Sequence, residues 1–176
     1  MAELERTDKP VSILVNEFKD GVLGVPEIQR NYVWSPAQAR DLIDSIYRKY
    51  PSGLILLWKP KCLPKFGRYG VKKNPDYLIL DGQQRITALQ KVLHGEINLC
   101  FNVLEGTLHI SNRKNNNPLL VSVVSVLKNA FKVLTDTTEA LNLKEEQKEI
   151  VQQNIKNFCK IEDYLFPVMI MHTDDY

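Results

Sequence analysis

The chain has 176 residues, too few for two domains of usual size, and its hydrophobic (44%) and charged (25%) fractions are ordinary for a globular domain. The formal net charge of +2 excludes a global field that would mark a nucleic-acid or membrane binder, so any such role must rest on local patches. The N-terminal MAELERTDKP lacks a basic-then-apolar signal pattern, and no apolar run approaches the roughly 20 residues of a membrane helix. We therefore expect a cytoplasmic protein that does not act at a membrane.

The cysteines are odd in number, far apart and in no Cys-x-x-Cys pair: Cys62, Cys100 and Cys159. This arrangement favours reduced thiols over a disulfide framework or a zinc site.

The first predicted elements are a helix, an extended segment and a second helix. Apolar residues at helical spacing, ended by a glycine, predict a helix over residues 11–21. Residues 24–34 have a proline and apolar residues with even spacing, which predicts a short strand or extended segment. Ser35 and Pro36 are a strong helix start, so residues 36–50 are predicted to be helical.

The middle of the chain is predicted to hold two buried strands and a helix. Residues 54–58 and 77–80 are short continuous apolar runs of strand length. Between them, residues 59–76 are rich in proline, glycine and lysine and are predicted to be a loop or an irregular hairpin. An amphipathic helix follows Asp81-Gly82 and ends before Gly95.

The last third is predicted to be mainly helical. Residues 97–111 form a hairpin that turns at Glu105-Gly106. Residues 119–165 have helical patterning with a predicted break near Thr135-Asp136, and residues 144–165 are the clearest amphipathic helix. Residues 166–171 are predicted to form one more strand. The fold class is therefore α+β, with a small mixed sheet flanked by helices and a helical C-terminal third.

The string DGQQR, residues 81–85, places polar groups between a buried strand and a helix. The helix N-terminus there leaves backbone N–H groups unpaired, which makes an anion site. Gly82 would let a ligand approach the backbone, and Arg85 could grip two phosphate oxygens. Asp81 could hold a divalent metal or accept a proton from water, while Gln83 or Gln84 orients that water. The alternative from these residues alone is that Asp81 only caps the helix, while the glutamines and Arg85 are solvated.

A second polar segment repeats the Gln-Arg pair at Gln29-Arg30. Two arginines in one cleft would suit a polyphosphate, and Tyr32 or Trp34 could stack on a base. The alternative is that both aromatic side chains are core anchors and Arg30 is a surface residue.

A third candidate is the basic loop within residues 59–76, where cations alternate with aromatic residues. Such a loop could follow a nucleic-acid backbone, although a solvated loop is the commoner explanation. The candidate nucleic-acid contacts are Lys61, Lys65, Arg68, Lys72 and Lys73.

With these motifs in place, the sequence closely resembles the N-terminal domain of GmrSD-type restriction proteins. The match covers about residues 11–93, and its most specific parts are the segment of Gln29-Arg30, Tyr32 and Trp34, and the DGQQR string.

The resemblance implies a ParB/sulfiredoxin-like fold and a site that binds and hydrolyses a nucleoside triphosphate, GTP or ATP, with Mg²⁺. In this chain the implied nucleotide-binding residues are Gln29, Arg30, Tyr32, Gly82 and Arg85, and the implied catalytic residues are Asp81, Gln83, Gln84 and Arg85.

Family members carry an HNH-type nuclease partner domain and act against phage DNA, whereas no nuclease signature is present here. The family pattern continues past the strand that resembles residues 166–171. We therefore expect residues 1–176 to be a single ParB-like domain, truncated before its end.

The sequence therefore predicts an NTPase regulatory domain of a DNA-targeting anti-phage restriction protein. One alternative is a non-catalytic ParB-like DNA-binding module or ligand-gated switch that uses the same cleft. Another is an oligomeric scaffold assembled through the helices of residues 119–165.

Overall fold

The computed structural model describes residues 3–26, 29–60, 75–111 and 117–173. The strands are β1 (Glu3–Pro10), β2 (Leu23–Gly24), β3 (Ile55–Lys59), β4 (Tyr77–Asp81), β5 (Leu99–Asn102), β6 (Thr107–Ile110), β7 (Leu120–Ser122) and β8 (Leu165–His172). The helices are α1 (Val11–Lys19), α2 (Pro36–Tyr47), α3 (Gln83–Leu93), α4 (Val123–Lys128), α5 (Ala130–Leu141) and α6 (Glu145–Cys159), followed by a 3-10 turn, Lys160–Asp163.

The fold is mixed α+β with a small mixed sheet and a helical C-terminal part, as the sequence predicts. The chain divides into two compact units. Unit 1 comprises Met1–Val33, Pro51–Gln90 and Asp163–Tyr176, and unit 2 comprises Trp34–Tyr50 and Lys91–Glu162.

Unit 1 is built on a five-stranded sheet in the order β1-β8-β3-β4-β2. Strand β3 runs parallel to β8 and antiparallel to β4, with Leu56 paired to Asp81. The first residues of β3 and the last residues of β4 therefore lie side by side at the same end of the sheet. Ile55, Leu57 and Ile79 are fully buried in this sheet, which explains why the two central strands are continuous apolar runs.

Strand β1 was not predicted, because its sequence ELERTDKP has no apolar alternation. It pairs antiparallel with β8 over its whole length, from Glu3 opposite His172 to Pro10 opposite Leu165. It is an edge strand with mostly exposed side chains, so backbone pairing rather than side-chain burial holds it, and charged side chains suit such an edge.

Unit 2 contains a three-stranded sheet in the order β6-β5-β7, packed around an aromatic cluster. The rings of Phe101 on β5 and Phe158 on α6 stack at 4.3 Å between centroids, and Tyr47 of α2 meets the ring of Phe101 edge-on at 5.3 Å. The amide of Asn154 donates to the carbonyls of Val103 and Leu104, which fixes α6 to the hairpin turn.

The helices and strands that the sequence predicts are present, with four differences. The helix predicted over residues 144–165 ends at Cys159 and is followed by the 3-10 turn. Within residues 24–34, only Gly24 belongs to a strand, β2, and the described remainder has no repeating structure. Residues 120–122 form β7 rather than the start of a helix.

The predicted break near Thr135-Asp136 is wrong, because α5 runs through it. The Thr135 hydroxyl donates to the carbonyl of Phe131 one turn earlier, which accommodates the polar side chain in the helix. The helix instead begins after Asn129 and ends at Asn142, whose φ of 46° is left-handed.

Cys100 and Cys159 are free thiols, and Cys62 lies outside the described residues. Burial raises the pKa of the Cys159 thiol, which keeps it protonated and unreactive at neutral pH. Within the described ranges, no helix is long and apolar enough to cross a membrane.

Replacing Ser35 by alanine should destabilise the chain. Ser35 accepts from the backbone N–H of Gln38 while the Gln38 side chain accepts from the Ser35 N–H, a capping box at the start of α2. We expect Ser35→Ala to lower the free energy of unfolding in urea by about 1 kcal/mol. Ser122→Ala is the matched control, because Ser122 precedes α4 without a side-chain capping bond. Equal losses in both variants would contradict the capping argument.

Candidate functional site

The candidate site begins where β4 passes through Gly82 into α3. Gly82 has a φ of 95°, which favours glycine, and a Cβ there would lie 2.4 Å from the Ile55 side chain. The carbonyl of Gly82 accepts the first helical hydrogen bond, from Ile86 at 3.0 Å. Glycine is therefore required here by the turn and by the packing of β3 beneath it, whether or not a ligand approaches.

The first turn of α3 has no hydrogen-bond acceptor for its backbone N–H groups among the described residues. The backbone N–H groups of Gln83, Gln84 and Arg85 donate no hydrogen bond to the described part of the chain. Asp81 does not cap them; its Oδ2 accepts from Arg85 Nη2 at 2.8 Å. Among the described residues, the positive end of the helix dipole therefore has no side-chain acceptor.

The Arg85 side chain is hydrogen-bonded to backbone carbonyls just before β3. Its Nη1 donates to the Ser52 carbonyl at 2.9 Å, and its Nη2 donates to the Leu54 carbonyl at 2.7 Å as well as to Asp81. Gly53 lies between the two carbonyls with a φ of 89°, and a Cβ there would lie 1.9 Å from Arg85 Nη1. Only 16% of the Arg85 side chain is exposed, compared with 70% of the Asp81 side chain.

Tyr164, just before β8, supports the same turn. Its hydroxyl accepts a hydrogen bond from the backbone N–H of Ser52 at 3.1 Å. The sequence interpretation missed Ser52, Leu54 and Tyr164 as site residues. Arg85 bonds to backbone carbonyls, and Ser52 and Tyr164 are 112 residues apart in the sequence, so no local sequence pattern could have predicted these contacts.

The glutamines join the two Gln-Arg segments. Gln29 Nε2 donates to the carbonyls of Ile79 and Leu80 at 2.7 and 2.9 Å. Gln83 Nε2 donates to the carbonyl of Arg30 at 3.1 Å. The two motifs, about fifty residues apart in sequence, therefore lie side by side.

Gln84 also bonds to the backbone of this segment, through both the nitrogen and the oxygen of its side-chain amide. Its Nε2 donates to the Asn31 carbonyl at 3.1 Å, and its Oε1 accepts from the Val33 N–H at 2.9 Å. The segment before α2 has no repeating structure, so these side-chain bonds supply backbone partners that a neighbouring strand would otherwise give.

The other residues of this segment differ in exposure. Arg30 is exposed, and its side chain makes no hydrogen bond to the described residues. Tyr32 is half-buried, and desolvation raises the pKa of its phenol. At neutral pH Tyr32 therefore acts only as a neutral hydroxyl or as a ring.

A metal could use only a small donor set at this junction. Within the described ranges, no group of three or more His, Cys, Asp and Glu side chains is placed to hold an ion. Mg²⁺ in nucleotide sites commonly uses one or two carboxylates and completes its shell with phosphates and water. The exposed carboxylate of Asp81 fits that limited role and not a protein-only cage.

The candidate nucleic-acid contacts lie outside the described residues: Lys61, Lys65, Arg68, Lys72 and Lys73. Their role stays a prediction.

Comparison with known proteins shows the family of the chain. The model of the GmrSD restriction endonuclease, N-terminal domain, matches residues 11–176, and the chain belongs to this family. The chain is also similar to the "Uncharacterized protein MJ0686" of Methanocaldococcus jannaschii, with 31% identity over 100 residues. That alignment covers 49% of this chain and 17% of the relative, so the chain corresponds to a small part of that protein's length.

Gly53→Ala should be much more damaging than another glycine substitution of the same backbone type. Gly95 also has a positive φ, 79°, but a Cβ there would meet only Val124, at 3.5 Å. We expect Gly95→Ala to cost about 1 kcal/mol of unfolding free energy and Gly53→Ala about 3 kcal/mol, because the latter also displaces Arg85. Urea denaturation measures both values.

A double variant isolates the contribution of Arg85. On an Arg85→Ala background, Gly53→Ala should cost no more than Gly95→Ala, since the displaced guanidinium is gone. A penalty that stays near 3 kcal/mol on both backgrounds would show that the turn itself, and not Arg85, requires glycine.

Proposed function

We propose that this chain is the nucleotide-binding and hydrolysing module of a DNA-targeting anti-phage restriction protein, with a ParB-like site at the junction of β4 and α3. The observation that carries the proposal is the first turn of α3, whose N–H groups have no acceptor among the described residues, with the exposed Arg30 segment hydrogen-bonded beside it. Unpaired N–H groups, a helix dipole and an arginine favour an anionic ligand. Membership of the GmrSD family supports a phosphorylated nucleotide as that ligand.

In this proposal the phosphates meet the N–H groups of Gln83, Gln84 and Arg85, and Arg30 supplies the solvent-facing cation. The Arg30 side chain donates no hydrogen bond to the described residues, whereas Arg85 donates to the carbonyls of Ser52 and Leu54. Both charges stabilise the negative charge that spreads over the oxygens during phosphoryl transfer. Tyr32 provides a neutral aromatic ring toward the nucleoside.

Gln83 is the better residue to orient an attacking water. Both ends of the Gln84 amide hold backbone groups, whereas Gln83 Oε1 makes no hydrogen bond within the described ranges. Asp81 is the residue that would hold Mg²⁺ together with the phosphates. Bound Mg²⁺ would supply charge neutralisation on the phosphate oxygens.

Arg30→Ala should separate ligand binding from folding. Arg30 is exposed, so its loss should leave the urea midpoint unchanged while weakening ATP or GTP binding about tenfold or more, the usual value of a charged hydrogen bond. Calorimetric titration measures the affinity. Arg6→Ala is the matched control, because Arg6 is exposed on β1 and removes the same charge from the same unit. Equal weakening by both variants would indicate a general charge effect and not a site.

Turnover tests the hydrolytic part of the proposal. We expect Mg²⁺-dependent phosphate release from ATP or GTP, measured with and without DNA, and its loss in Gln83→Ala with less effect on nucleotide affinity. Binding of nucleotide without any phosphate release would favour the non-catalytic, ligand-gated alternative. Absence of nucleotide binding in the folded chain would contradict both.

A further inference from the structure

The hydrogen bonds of Arg85 restrict what it can offer a ligand. A guanidinium has five N–H groups, and the two edges that present parallel donor pairs both include Nη2. Nη2 already donates to Leu54 and to Asp81, so both of its hydrogens are used. A two-pronged grip on a phosphate by Arg85 is therefore blocked in the structure as it stands.

The bond to Asp81 is the one that can be exchanged. The Leu54 carbonyl belongs to the backbone at the start of a buried strand, while 70% of the Asp81 side chain is exposed. An ion pair with one exposed partner contributes little stability, so a phosphate group with more charge can replace the carboxylate at small cost. The bonds to Ser52 and Leu54 need not change.

We propose that Asp81 occupies the anion position of Arg85 when no ligand is bound, and that the phosphate of an incoming nucleotide displaces it. The displaced carboxylate is then available to a divalent cation carried by the same phosphates. The inference rests on the proposed function and adds to it a direct coupling between phosphate and Mg²⁺ binding. Such coupling is reciprocal: the cation strengthens phosphate binding because it holds Asp81 away from Arg85.

The alternative to this exchange is that Asp81 stays on Arg85 throughout, as a purely structural i,i+4 ion pair. The phosphates would then use only the first-turn N–H groups and Arg30. In that case removal of the Asp81 carboxylate changes the local charge but releases no donor. The two possibilities predict different effects of removing the Asp81 carboxylate on two quantities: the affinity for metal-free phosphate ligands, and the gain in that affinity when Mg²⁺ is added.

The experiment is calorimetric titration of ATP and of inorganic pyrophosphate into the wild type, Asp81→Asn and Asp81→Ala, in a chelator and with excess Mg²⁺. The control is Asp76→Asn, which removes an exposed carboxylate from the residue before β4, at the opposite end of the strand. The wild type and these three variants, compared at one ionic strength, separate the loss of a charge from the release of a donor. Urea denaturation of each variant confirms that it is folded.

We expect both Asp81 variants to bind the metal-free ligands about two- to fivefold more tightly than the wild type, the range for an exposed ion pair, with no such gain in Asp76→Asn. Mg²⁺ should strengthen binding to the wild type more than to either Asp81 variant. An unchanged or weaker metal-free affinity in the Asp81 variants overturns the proposal, and so does an equal effect of Mg²⁺ on all four proteins.

The result is separable from the proposed function. Nucleotide binding with this pattern but without phosphate release would overturn hydrolysis and leave the exchange standing. Hydrolysis by the wild type with equal metal-free affinities would do the reverse. Failure of every variant to bind ATP and pyrophosphate would overturn both.

Discussion

The interaction on which the site depends is the binding of Arg85 by the carbonyls of Ser52 and Leu54. These carbonyls lie where the chain turns into β3, and the guanidinium supplies them with hydrogen-bond donors. One side chain therefore ties the start of β3, the end of β4 and the first turn of α3. Gly53 is required because its left-handed backbone and missing Cβ make room for the guanidinium.

Glutamine side chains likewise supply hydrogen-bond partners to backbone groups of the segment before α2, which has no repeating structure. An amide carries both a donor and an acceptor, so Gln84 can pair with Asn31 and Val33 as a strand would. A charged side chain could supply only one of these functions. The crowding of amides between a strand and a helix thus has a structural cause. The proposed ligand site is therefore left with the helix terminus beside these amides, whose first N–H groups have no acceptor among the described residues.

Most elements could be predicted because their burial leaves a periodic or continuous apolar pattern, as in α2, β3 and β4. Strands β1 and β7 could not, since β1 is polar and held by β8, and β7 is only three residues long. The proximity of Gln29-Arg30 to residues 81–85 follows from the family resemblance and agrees with the geometry. Apart from the Asp81 side chain, the partners of Arg85 and Gln84 are backbone groups, which leave no signature in the sequence. The roles of Arg85 and Gln84 toward a nucleotide stay predictions.

The two arginines therefore cannot have equivalent roles. Arg85 is mostly buried and uses three of its donors within the protein, so its loss affects the fold and the site together. Arg30 is exposed, so its charge can act on a ligand at little structural cost. In the proposed site, Arg85 is held by the protein and the Arg30 side chain has no hydrogen-bond partner among the described residues, so the site can keep its shape without a ligand and still respond to one. Asp81 takes part in both the structural and the ligand-binding role, because its exposed carboxylate accepts a hydrogen bond from the mostly buried Arg85.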